Sequence, residues 1–144
     1  MTNRRYAAPS FLNNLITQSH YERWLTRKAE AHVRRDRKKK QNISVASYKK
    51  MIHDAVCHSE GRDDYTGENL DWTLISKWRN DEAKKEGPTY KKQFALLPSV
   101  DHATGRVGDT HFKICSWRMN DAKNDLSIDE FIDLAKKVLG HLDK

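Results

Sequence analysis

Residues 97–123 read LPSVDHATGRVGDTHFKICSWRMNDAK, and the fold turns on how that stretch is parsed. The run KQFALLPSV that leads into it (residues 92–100) is apolar and of strand length. ATGRVGD (103–109) is glycine-rich turn chemistry, and THFKICSW (110–117) alternates enough to be a returning strand. Together they predict an antiparallel hairpin. The polar segment from Arg118 to Asp125 is rich in helix formers. Ser127 then heads the box SIDE, with Glu130 three residues on, and opens an amphipathic helix through Ile128, Phe131, Ile132, Leu134, Ala135, Val138 and Leu139. The C-terminal third is expected to run strand, turn, strand, helix, helix.

Upstream the pattern is helical. From Phe11 to about Lys39 apolar and aromatic residues (Leu12, Leu15, Ile16, Tyr21, Trp24, Leu25) recur at three- and four-residue steps without Pro or Gly, which predicts one long helix. Its second half becomes the basic run HVRRDRKKK (32–40). Ser44 and Ser47 both suit the N-cap of a second helix over VASYKKMIHDAVCHS, ending near Cys57. HSEGRDDYTGEN (58–69) reads as a loop with a tight turn at Thr66-Gly67. Thr73 is expected to cap a third helix through about Lys85, stopped by Gly87-Pro88. The fold class is therefore α+β and mostly helical, divided into a basic helical extension (1–50) and a C-terminal unit (51–144).

The chain has 144 residues, 33% of them charged, and a net charge of +7. Residues 1–50 hold thirteen Lys and Arg against three acids, a surplus of ten, whereas the rest carries fourteen against seventeen. A surface of that kind is most often matched to a polyanion, so nucleic acid leads the possible partners. Arg34, Arg35, Arg37, Lys38, Lys39 and Lys40 lie on the predicted basic helix and are the expected phosphate contacts. No stretch approaches the roughly 20 apolar residues of a membrane span, and the N-terminus lacks a secretory signal, so a cytoplasmic protein is expected. Cys57 and Cys115 form no CxxC and read as free thiols.

The chemistry-bearing residues lie in the opening stretch. Phosphodiester hydrolysis needs a base to deprotonate water and a cation to neutralise the phosphate. His102 can accept a proton at neutral pH, and Asp101 offers a hard oxygen ligand suited to magnesium. Neighbours on a strand point to opposite faces, so the two must diverge at the rim of the hairpin. Asn120, on the following helix, is placed to be a second metal ligand.

The order Val-Asp-His, glycine-bearing turn, second strand, Asn-x-x-Lys and a further helix resembles the HNH endonucleases, the ββα-metal or His-Me finger group. Cys57 and YTGENLDW (65–72) resemble the segment that often precedes the Asp-His strand in that family. The resemblance covers about Cys57 to Leu139. It implies a ββα-metal fold, Asp101 and Asn120 as metal ligands, His102 as general base, and Lys123 supporting the site or touching phosphate. The middle position, an Asn nine residues before the helix Asn in many members, falls here on His111, whose ring can donate a hydrogen bond as an amide does. The two CxxC pairs of zinc-braced members are missing, so no structural zinc is expected and bracing falls to packing, with Trp72, Trp78, Phe94 and Trp117 as candidates. Tyr65 and Trp117 read as core or loop anchors, and His20, His32, His53, His58 and His141 as surface residues. The resulting expectation is a DNA endonuclease using one divalent ion, magnesium or manganese. The alternatives are a non-catalytic nucleic-acid-binding protein and a nuclease acting on RNA.

Overall fold

The computed structural model describes residues 5–37, 43–77, 80–103 and 111–143. Helix α1 spans Gln18–Asp36 and α2 spans Val45–Ser59. Two short helices, α3 (Asn80–Glu86) and α4 (Pro88–Gln93), precede the hairpin of β1 (Pro98–Ala103) and β2 (His111–Ser116). Helix α5 (Trp117–Lys123) follows directly, and α6 (Ile128–Leu142) closes the described chain. The architecture is thus α+β, mostly helical, with one two-stranded antiparallel sheet.

The first helix starts later than its periodicity suggests. Ser10–Leu12 makes a single 3-10 turn, Asn14 takes a left-handed conformation (φ 67°), and the helix begins only after Thr17, whose hydroxyl accepts from the His20 backbone N–H. Asparagine tolerates that conformation, so it interrupts a helix without any Pro or Gly. From there Tyr21, Trp24, Leu25, Ala29 and Val33 form one buried stripe. Helix α2 is capped by Ser44 and runs two residues past Cys57, to Ser59, where Glu60 turns left-handed. A boundary at residue 50 would therefore run through α2, and α1, α2 and the hairpin share one core.

The helix expected from Thr73 to Lys85 is split. Asp71, not Thr73, caps a 3-10 turn over Trp72–Ser76, and α3 begins separately at Asn80. Gly87 (φ 63°) ends α3, and Pro88 then starts α4 at its first position, where a missing N–H costs nothing. Consequently Lys92 and Gln93 are helical and the strand begins at Pro98. Trp72 and Phe94 are buried as expected and Trp117 is half-buried, while Trp78 lies outside the described residues.

In the hairpin, Val100 pairs with Ile114, Asp101 with Lys113, His102 with Phe112 and Ala103 with His111. Alternation sends Val100, Phe112 and Ile114 into the core with α1 and α2. Ser99 and Asp101 face the other way, toward α5. The 61–69 loop docks on the edge of β2, because Asp64 exchanges two hydrogen bonds with the backbone of Ile114, at 2.8 and 3.1 Å. Beside it the carboxylate of Asp63, 2% exposed, accepts from the backbone N–H groups of Tyr65, Thr66 and Ser116 at 2.7, 3.1 and 2.8 Å. Both cysteines are free. No helix among the described residues is long and apolar enough to cross a membrane.

Removing the Asp63 carboxylate would strand three donors at once. Asp63→Ala is expected to cost about 3 kcal/mol or more in urea unfolding, whereas Asp64→Ala, whose carboxylate accepts from a single N–H, costs about 1 kcal/mol. Equal losses would show that the Asp63 cluster does not carry this loop.

Candidate active site

Asp101, Asn120 and Lys123 come together in the layer between the hairpin and α5. Helical spacing places Asn120 and Lys123 on one face of α5, one turn apart. The Asn120 side-chain amide donates to the Ser99 hydroxyl at 2.9 Å. The Lys123 ammonium reaches both oxygens of Asp101, at 3.2 Å from Oδ2 and 3.4 Å from Oδ1, and is only 5% exposed. The Tyr65 hydroxyl donates to Asp101 Oδ2 at 2.6 Å. Burial and the Asp101 carboxylate both push the Tyr65 phenol far up, so it stays a neutral donor.

His102 faces the opposite way. Its Nε2 lies 3.4 Å from Asp36 Oδ2 at the end of α1, and that same oxygen accepts from the Tyr48 hydroxyl at 2.5 Å. The ring lies among Phe112, His32 and Tyr48, with centroids 5.0, 5.9 and 6.3 Å away. His32 is 4% exposed, and its Nε2 lies 3.1 Å from the Val100 carbonyl oxygen, to which it donates. Burial, reinforced by nearby Arg35, pushes its pKa down to about 4, so it is neutral and adds no positive charge beside His102. What Asp101 and His102 share is a hollow of about 400 Å³, bordered also by Tyr65, Lys123 and the first turn of α6.

The remaining expected residues are dispersed. His111 is exposed and pairs with Ala103, so the residue standing across from His102 is Phe112. His111 borders a separate hollow with Met51, Asp54 and His58 of α2. Arg34, Arg35 and Arg37 are exposed at the end of α1, whereas Lys38, Lys39 and Lys40 lie outside the described residues. His32 is no surface residue, and His53 is half-buried with its Nδ1 2.6 Å from the Tyr21 hydroxyl. Four members of the site, His32, Asp36, Tyr48 and Tyr65, escape a reading of motifs. The one available signal was Asp36, a single acid inside HVRRDRKKK.

A carboxylate and a carboxamide oxygen are donor types that a magnesium-type ion takes, but Asn120 is bonded to Ser99 and does not border the hollow that Asp101 and His102 share. Among the described residues no three or more His, Cys, Asp or Glu side chains are grouped to hold a metal, so an ion there would take most of its ligands from water and substrate. It would also have to displace the Lys123 ammonium from Asp101. Comparison with protein-family models, with curated proteins and with solved structures found no match.

His32 sets a pH dependence. Its folded pKa of about 4 lies below the ordinary 6.5, so the stability it confers is present above pH 6.5 and is lost as pH falls toward 4. Unfolding free energy should decline by about 3 kcal/mol across that window from this group. His32→Gln keeps a donor for Val100 but cannot titrate, and chemical denaturation at several pH values should show a shallower slope. An unchanged slope would mean that His32 is not held neutral.

Proposed function

We propose that this protein is an endonuclease that hydrolyses phosphodiester bonds in DNA, with β1, β2 and α5 serving as a ββα-metal unit. The observation that carries the reading is the placement of Asp101 and His102 on one strand with Asn120 and Lys123 on the helix behind it. That is the order the HNH resemblance requires, and a hollow borders both Asp101 and His102. A divalent ion, magnesium by preference, would be held by Asp101 and Asn120 and would neutralise charge on the phosphate.

The chain's own residues supply the rest. Asp36 Oδ2, 3.4 Å from His102 Nε2 with no hydrogen bond formed between them, would favour the tautomer with its proton on Nε2, leaving Nδ1 as the basic atom, and would stabilise the imidazolium once a proton arrives. Nδ1 takes a proton from water, the oxygen attacks phosphorus in line, and the bond to the 3′ oxygen breaks with its electron pair leaving on that oxygen, which is then protonated by solvent. Arg34, Arg35 and Arg37 hold the backbone without choosing sequence. A second reading, a nucleic-acid binder without chemistry, is favoured by the occupation of Asp101 by Lys123.

Plasmid incubated with Mg²⁺, Mn²⁺ or EDTA separates the two. The wild type should nick with either metal and stop in EDTA, and His102→Ala should lose roughly 10²- to 10⁴-fold in rate with little change in DNA affinity. A wild type that never nicks leaves only the binder. Parallel reactions on duplex DNA, single-stranded DNA and RNA identify the substrate. For binding, replacing Arg34, Arg35 and Arg37 together by Ala should lower the slope of log affinity against log salt by roughly 3. An unaltered slope would remove α1 from the interface.

A further inference from the structure

Helix α6 is well formed, and among the described residues little packs against it: Ile128, Phe131 and Ala135 are half-buried and the rest of the helix is exposed. Its N-terminus carries a full capping box, in which the Ser127 hydroxyl accepts from the Glu130 backbone N–H and the Glu130 carboxylate accepts from the Ser127 backbone N–H, at 3.1 and 3.0 Å. Yet none of its residues is buried, and Ile132, Leu134, Val138, Leu139 and Leu142 are 41 to 72% exposed. Four turns of aligned aliphatic side chains in water are the mark of an interaction face.

The arrangement along the helix selects the occupant. About Ala135 the apolar stripe reads the same in both directions at three pairs of positions, Ile132 with Val138, Phe131 with Leu139 and Ile128 with Leu142, while Leu134 on its flank stands opposite Lys136. The charges invert about the same point, with Asp129, Glu130 and Asp133 before it and Lys136 and Lys137 after it. A helix with a palindromic apolar face and antisymmetric charge is complementary to itself run in the opposite direction. A parallel partner would set acid against acid. The small side chain at the centre lets two backbones approach closely, and a two-fold contact needs this self-complementarity.

We propose that α6 pairs with α6 of a second copy of this chain, antiparallel and centred on Ala135, to make a two-fold dimer. A contact of two four-turn helices buries on the order of 1,000 Å², at the lower edge of specific interfaces, so the dimer is of micromolar strength and depends on concentration. The pairing stands independently of the nuclease reading.

Light scattering and sedimentation equilibrium on the full chain test it. The wild type should pass from monomer to dimer through the micromolar range, and Leu139→Asp, at an exposed position, should stay monomeric with unchanged circular dichroism. Lys136→Glu with Lys137→Glu makes the helix acidic throughout and should weaken the dimer at least tenfold. Adding Asp129→Lys and Asp133→Lys to that variant restores opposite halves and should recover most of the loss; Glu130 is left in place because it closes the capping box. A wild type that remains monomeric at hundreds of micromolar overturns the proposal, whether or not it binds anionic vesicles or another protein. A Leu139→Asp variant that dimerises like the parent overturns it as well. A fourfold variant no tighter than the double variant rules out the antiparallel arrangement.

Discussion

A carboxylate placed out of water must be neutralised where it stands, and Asp101 has that demand met from two directions. β1 carries it inward, α5 answers with the Lys123 ammonium, and the 61–69 loop answers with the Tyr65 hydroxyl. Desolvating both charges costs several kcal/mol per ion, so the pair is a weak source of net stability, and removing either partner alone is far more harmful than replacing both. Its effect is to fix position. With Asp101 engaged on both oxygens, α5 cannot slide along the hairpin, and the loop that bears Tyr65 must keep its grip on β2 through Asp63 and Asp64.

The other face of the same strand obeys a different logic. His102 sits against rings and one carboxylate, and the neighbouring imidazole of His32 is kept uncharged by its burial. Alternation along a strand thus divides two adjacent residues between two environments, one ionic and closed, one aromatic with a single acid. They meet only at the rim of the hairpin, beside the first turn of α6.

Much of this was legible in the residues. The hairpin, the helix over 45–59 and the capping box at Ser127 follow from local patterns that nothing in the tertiary structure opposes. The errors arose where one residue overrode a longer pattern. Asn14 broke a helix that periodicity would have continued, and Pro88 extended helical structure into a run whose apolarity suggested a strand. For the site, Asp101, Asn120 and Lys123 could be placed in one layer because a hairpin followed by a helix fixes their faces. Asp36, Tyr48 and Tyr65 could not, since each reaches the strand across 36 to 66 positions of chain and no spacing rule connects them.

The position of Asp36 has a consequence for what counts as the smallest working unit. The strands and α5 could be excised as a tidy fragment beginning near residue 50, yet such a fragment would leave behind His32, Asp36 and Tyr48. The imidazole of His102 would then look out on solvent on the side where α1 now stands, with its acidic neighbour and two of its three neighbouring rings gone and only Phe112 left beside it. The N-terminal helix is therefore no detachable handle, since it supplies part of the surroundings of the His102 ring.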